Sequence, residues 1–358
     1  MSSTDPAPPA TSAATGPLPG VLVGHDTDRR RPTGVTVVLL PEGSVGGVDV
    51  RGAAPGTRET DLLDPVNTIE AVDAIVLAGG SAFGLAAATG AMRWLEEHGR
   101  GVAVGPVRVP IVPSAVLFDL FVGDPSARPD ESHGYRACEA AVPLADAAQG
   151  SVGAGAGATV GKLLGPHLAM RGGLGIAQVS AAGISMAAVV AVNAIGDVVD
   201  PRDGALLAGA RAAVDSPEPV GGMRTLLGFG PGDASGDPAP GADAAAERMH
   251  PGGATTIGVL VCDAALTKAQ ATRLAQVAHD GLARTIVPVH TPMDGDTLFA
   301  AGTGTAPTPI ADLTLLSMLA AEVTAQAVVN AIRTAEGLRL GDAWLPAWRD
   351  HASSAPQS

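Results

Sequence analysis

The chain has 358 residues, with 36 acidic against 22 basic side chains and a formal charge of −14. Hydrophobic residues make up 46% and charged residues 16%, a balance that excludes a chain disordered throughout, because disorder needs low hydrophobicity and high charge. Aromatics are 3% and Arg29, Arg30 and Arg31 form the one basic cluster, so neither phosphate neutralisation nor base stacking is supplied and nucleic acid is excluded as a partner.

Residues 1–19 are rich in Pro, Ala, Ser and Thr, with no basic start and no apolar stretch. They read as a disordered lead, not a signal peptide, which makes the cytoplasm the expected location. One domain is expected over residues 20–345. Strands are predicted at Val21–Val23 and Val35–Leu40, then a polar loop over Arg51–Asp64 and a short buried strand at Ala74–Leu77. After Gly79-Gly80, a helix is expected from Ser81 as N-cap to His98, closed by Gly99.

Gly172–Gly196 has no charge and is long enough to cross a bilayer. Its glycines and its polar Gln178, Ser180, Ser185 and Asn193 instead give buried strands around Leu174–Ser180 and Ala187–Asn193, so no membrane partner is expected. Residues 215–254 are Gly- and Pro-punctuated and read as a flexible linker. An apolar strand follows at Thr256–Cys262. Thr267 and Gln270 form a capping box that opens a helix through Arg284, with Leu274, Val277 or Ala278, and Leu282 inward. Strands at Val287–His290 and Thr297–Ala301, a helix capped by Asp312 and reaching Thr334, and a polar tail over 346–358 complete the pattern. Such alternation indicates a layered α/β (α+β) fold.

Several chemical signals fall short of their motifs. The run GSVGAGAGATVG over 150–161 ends in Lys162, but a phosphate loop needs Gly at 156, where Ala stands, and Ser or Thr at 163, where Leu stands. It reads as a stretch where backbones approach closely or line a site. Ser81 sits where a nucleophile elbow would place it, but Phe83 occupies the required Gly position. The histidines lack metal-ligand spacing, and His279 reads as structural; no metal and no cofactor are expected. Cys138 and Cys262 read as small core residues.

The junction Gly253-Ala254-Thr255-Thr256 is the most unusual feature. If the chain broke before Thr255, a new α-amine would sit beside its own Oγ1 at the start of a core strand. An α-amino group titrates near 7.7–8.0 and can act as a general base at neutral pH.

The chain resembles the DmpA-type aminopeptidases and, more closely, the nylon-oligomer (NylC-like) hydrolases, which are self-processing N-terminal-nucleophile amidohydrolases. The resemblance runs from about Val21 to Leu338 and is carried by RGAAPGTRETDLL (51–63), LAGGSAFGLAAATG (77–90), GAGATVGK (155–162), Asn193, TTIGVLVCDAALTKAQ (255–270), AHDG (278–281) and DGDTLFA (294–300). It implies a four-layer αββα sandwich of the DmpA/ornithine-acetyltransferase-like type. It also implies cleavage between Ala254 and Thr255 into a large subunit, 1–254, and a small one, 255–358.

By the same resemblance, Thr255 is the nucleophile and Lys162 hydrogen-bonds it. Asn193 positions the new N-terminus or the oxyanion, and Asp294 and Asp296 orient the hydroxyl and the amine. The implied substrates are linear amides such as 6-aminohexanoate oligomers or β- and D-peptides. The implied partners are its own cleaved subunit and further copies, as a tetramer of processed heterodimers. A DmpA-type aminopeptidase, an acyl transferase of the same fold and an unprocessed, non-catalytic homologue are the alternatives. Ala254 departs from the Asn or Gly usual before the cut. Thr256 is the alternative nucleophile, and because a strand alternates faces only one of the two threonines can face the site.

Overall fold

The computed structural model describes residues 17–28, 30–227, 253–306 and 312–352. The expected lead up to residue 16, linker residues 228–252 and tail residues 353–358 lie outside them. Leu18, which sequence places in the lead, is buried in the core, and Trp348, placed in the tail, packs on the helices near Arg333.

Two sheets lie face to face. In chain order their strands are β1 (Leu22–Asp28), β2 (Thr33–Leu39), β3 (Val45–Val50), β4 (Thr57–Arg58), β5 (Ala74–Ala78), β6 (Ser114–Val116), β7 (Val142–Pro143), β8 (Gly173–Ala181), β9 (Ile184–Asn193), β10 (Thr255–Cys262) and β11 (Thr297–Gly302). The first sheet runs β4-β6-β5-β2-β1-β7 and the second β8-β9-β10-β11-β3. Helices α1 (Ala87–Glu97) and α2 (Glu131–Glu139) cover the first sheet, and α3 (Lys268–Thr285) and α4 (Leu313–Thr334) cover the second.

Three apolar layers follow from this stacking. Val37, Val76 and Ala91 fill the space between the first sheet and its helices. Leu77, Val189, Val259 and Phe299 fill the space between the sheets, and Leu260, Leu274 and Val328 that between the second sheet and its helices. The arrangement is the expected αββα sandwich. A sheet covered on both faces needs apolar residues at every position. That explains why the whole of β10 is buried and why the uncharged Gly172–Gly196 stretch is the β8–β9 hairpin.

Local signals set the helix starts. Thr267 and Gln270 make the reciprocal capping box of α3, and Asp312 accepts the amides of Thr314 and Leu315 to begin α4. Ala278, not Val277, is the buried choice on α3. Helix α4 is apolar enough and long enough to cross a membrane, but it lays its inner face on β8 and β9.

Two expectations are corrected. Ser81 is not an N-cap: Gly80 and Ser81 both take left-handed φ, +82° and +55°, and Ser81–Ala86 is a 3₁₀ turn before α1. The turn is tight because Gly84 packs on the Gly79 carbonyl, which a Cβ at 84 would meet at 2.0 Å. The predicted strand Val287–His290 stops at Val287, which pairs with Asp197. Pro288 has no amide for a ladder, and His290 takes φ +56°, which turns the chain away.

Arg31, counted above in a basic cluster, is wholly buried. It pairs with Asp119 at 3.2 Å and donates to the carbonyls of Asp119, Val122 and Ala127. Removing one partner of a buried pair strands the other charge, so Asp119→Ala is expected to destabilise the fold by about 3–5 kcal/mol. Urea unfolding, with midpoint and slope compared against wild type, measures this.

Candidate active site

The site gathers where β9 ends, β10 begins and the loop before β11 arrives. Antiparallel pairing sets Asn193 opposite Thr255 and Val192 opposite Thr256. Alternation then puts Thr255 and Asn193 on the inter-sheet side, with Ile257, Val259 and Ala191. Thr256 falls on the helix side, where its buried Oγ1 has no hydrogen-bond partner among the described residues.

Thr255 Oγ1 donates to the carbonyl oxygen of Ala254, the residue before it. The amide of Gly295 donates to that same oxygen at 3.1 Å. The approach is close enough that a Cβ at 295 would stand 3.0 Å from Thr255 Oγ1. The Ala254 carbonyl is therefore polarised by a backbone N–H while a hydroxyl lies against it. Such placement of a donor where negative charge would develop is what acyl chemistry requires.

Lys162 enters from the Gly/Ala run. Gly161, at φ +72°, brings the chain against Gly209, whose carbonyl carbon a Cβ would meet at 2.0 Å. The Lys162 ammonium donates to Asn193 O at 2.9 Å, Asn193 Oδ1 at 2.8 Å and Gly253 O at 3.1 Å. In the unbroken chain its bonds go to these oxygens, while Thr255 Oγ1 is held by the Ala254 carbonyl. Burial pushes Lys162 down to about 7, against the opposing pull of the Asp294 and Asp119 charges. Asn193 Oδ1 also accepts the Thr159 amide, and its Nδ2 donates to Phe118 O.

The acidic pair lies on the β11 side. Asp296 Oδ1 accepts the Thr256 amide at 2.6 Å, and its Oδ2 accepts the His290 amide at 3.2 Å and pairs with His290 Nδ1 at 2.7 Å. Asp294 accepts the Thr291 amide and hydroxyl, and burial, reinforced by Asp296, raises its carboxyl above the usual range. The segment after β3 fixes this loop: Arg51 and Gly52 donate to the Asp296 carbonyl and Ala54 to that of Asp294. Thus the five sequence-predicted residues and Ala254 converge on one junction, although Asp296 binds the amide of Thr256 and not that of Thr255.

Sequence reasoning missed two contributors. Gly295 acts through a backbone amide, which no side chain announces. His290 stacks edge-on to His279 at 4.8 Å and bonds Asp296, so His279 supports the site from behind, its imidazole pushed down to about 3 by burial. The available signal was the spacing of His290 six residues before Asp296.

The model of Peptidase family S58 matches residues 17–343. An uncharacterized aminopeptidase from Mycobacterium tuberculosis is 44% identical over 92% of this chain and 95% of its own. A 6-aminohexanoate-oligomer endohydrolase from Paenarthrobacter ureafaciens is 32% identical over 88% of this chain and 84% of its own. The L-aminopeptidase D-Ala-esterase/amidase of Ochrobactrum anthropi, described as a variant of the Ntn hydrolase fold, superposes with a TM-score of 0.63 at 18% identity, covering 97% of this chain and 98% of that one. With the αββα sandwich and this junction in place, the chain belongs to peptidase family S58, as a hydrolase of amide bonds on the Ntn fold.

Proposed function

We propose that the chain cuts itself between Ala254 and Thr255 and then uses Thr255 as an N-terminal nucleophile on linear amides. The observation that carries this reading is the Ala254 carbonyl, touched at once by Thr255 Oγ1 and by the Gly295 amide. In self-processing, Oγ1 attacks the Ala254 carbon and its proton passes to neutral Lys162, whose lowered pKa makes it an acceptor near neutral pH. Gly295 N–H holds the oxyanion. Collapse expels the Thr255 nitrogen, which takes a proton and becomes the new α-amine. The remaining Ala254 ester is hydrolysed by water.

In turnover, the α-amine is the base for Oγ1, and Asn193, Asp294 and Asp296 orient it. The substrate's carbonyl takes the place of Ala254, so an acyl-enzyme forms and water releases it. The 32% identity to a 6-aminohexanoate-oligomer endohydrolase supports amides of unsubstituted chains as substrates. The 44% identity to a protein named as an aminopeptidase favours a second reading, removal of residues from a free amino end. The buried free thiols of Cys138 and Cys262 suit a reducing, cytoplasmic setting, and the processed heterodimers are taken to assemble as a homo-oligomer.

The test is hydrolysis of linear 6-aminohexanoate trimer, a β-alanine dipeptide and an α-dipeptide, each free and N-acetylated. Cleavage that tolerates the acetyl group supports internal cutting, and cleavage that requires the free amine supports the aminopeptidase reading. No hydrolysis of any of them by cut protein contradicts both.

A further inference from the structure

Beside the junction lies a cavity of about 580 Å³. Lys162, Thr159 and Gly253 line it at the junction itself. Farther out it passes between the Phe118–Phe121 pair, whose rings meet edge-on at 4.8 Å, and a hairpin formed by β12 (Leu338–Leu340) and β13 (Ala343–Leu345). From that hairpin Leu340, Trp344 and Leu345 face the cavity. The two aromatic walls come from opposite sides of the Ala254–Thr255 bond in the chain.

The hairpin is held in place. Arg211, wholly buried, donates to the carbonyls of Trp344, His167 and Val214, tying it to two other cavity segments. Arg171 binds it at its base, through the carbonyls of Glu336 and Pro346. The Arg339 guanidinium lies over the Trp344 ring at 4.7 Å. A wall fixed at its base and on one strand can discriminate between ligands, as a loose tail cannot.

Gly253 stands on the acyl side of the scissile bond. In self-processing, the group passed to Thr255 Oγ1 is the Ala254 carbonyl, with Gly253 behind it. A substrate's carbonyl must meet the same Oγ1 and the same Gly295 donor, so the chain behind that carbonyl runs where Gly253 leads. We propose that this cavity is the acyl subsite, that it takes the unbranched methylene chain of an ω-aminoacyl group, and that Trp344 and Phe121 set its selectivity for the length of that chain. The proposal rests on Thr255 being the nucleophile.

The test uses 4-nitroanilides of glycine, β-alanine, 4-aminobutyric acid and 6-aminohexanoic acid, which share a leaving group and differ in acyl length. In wild type, kcat/KM is expected to rise by about fourfold for each methylene buried. Trp344→Ala is expected to lose about tenfold on the 6-aminohexanoyl substrate and no more than about twofold on the glycyl one. Phe121→Ala, at an exposed position that tolerates truncation, is expected to flatten the series in the same sense. Mass spectrometry showing each variant cut before Thr255 establishes that its site has assembled. Losses equal at every chain length, or a flat wild-type series in protein cut at Thr255, overturn the subsite alone. A wild type that hydrolyses none of the four overturns it together with the nucleophile.

Discussion

Thr255→Ala is expected to remain a single chain of 35.3 kDa and to lose amide hydrolysis by on the order of 10⁵-fold or more. The side chain is the sole hydroxyl lying against the Ala254 carbonyl among the described residues, and without it neither the acyl shift nor an acyl-enzyme can form. Thr255→Ser keeps the hydroxyl and should keep both activities. Thr256→Ala is the matched control. Its Oγ1 lies on the helix side of β10 with no partner among the described residues, so removing it should leave the cut intact. Denaturing electrophoresis of the three variants reads the result directly, and a Thr256→Ala chain that fails to cut while Thr255→Ala succeeds would move the nucleophile by one residue.

Lys162→Met is expected to slow self-processing by on the order of 10²–10⁴-fold, the usual worth of a positioned proton acceptor. Methionine keeps the length and apolar stem but cannot take the Oγ1 proton. The pH dependence has a definite direction. Below about 7 Lys162 carries its proton and cannot accept another, so the wild-type processing rate should rise as pH passes upward through about 7. The same depression acts on stability. The unfolded chain holds the lysine proton up to its ordinary value, 10.5, while the folded chain releases it near 7. Across that window the unfolded state binds more protons, so the lysine's contribution to stability rises with pH. Lys162→Met should lack both slopes. A processing rate flat from pH 5.5 to 9 in stopped-time samples would argue against Lys162 as the acceptor.

Much of the frame was legible because it is written in side-chain chemistry. An unbroken apolar run predicts a strand covered on both faces, and β10 is one. Thr267 with Gln270 and Asp312 before an apolar periodic stretch mark helix starts, and both caps form as read. The segments around Lys162, Asn193, Thr255 and Asp294–Asp296 were recognisable as a set, and pairing Asn193 with Thr255 brings them together. What escaped depends on backbone and tertiary contacts. A left-handed Ser81 has no propensity signal, since a Ser before a helix ordinarily caps it. Pro288 and the positive φ of His290 ended a strand whose residues are otherwise apolar enough. The Gly295 amide has no letter of its own. The β12–β13 hairpin, inside the expected domain, has no strand signal of its own, because its order comes from Arg171 and Arg211, both more than a hundred residues earlier in the chain.

Intact mass and N-terminal sequencing of the purified protein test the central claim most directly. The account predicts two fragments of about 25 and 10 kDa, scaled by length at ordinary composition, with the smaller one beginning at Thr255. A single unbroken chain of 35.3 kDa after prolonged incubation above pH 7 would contradict it.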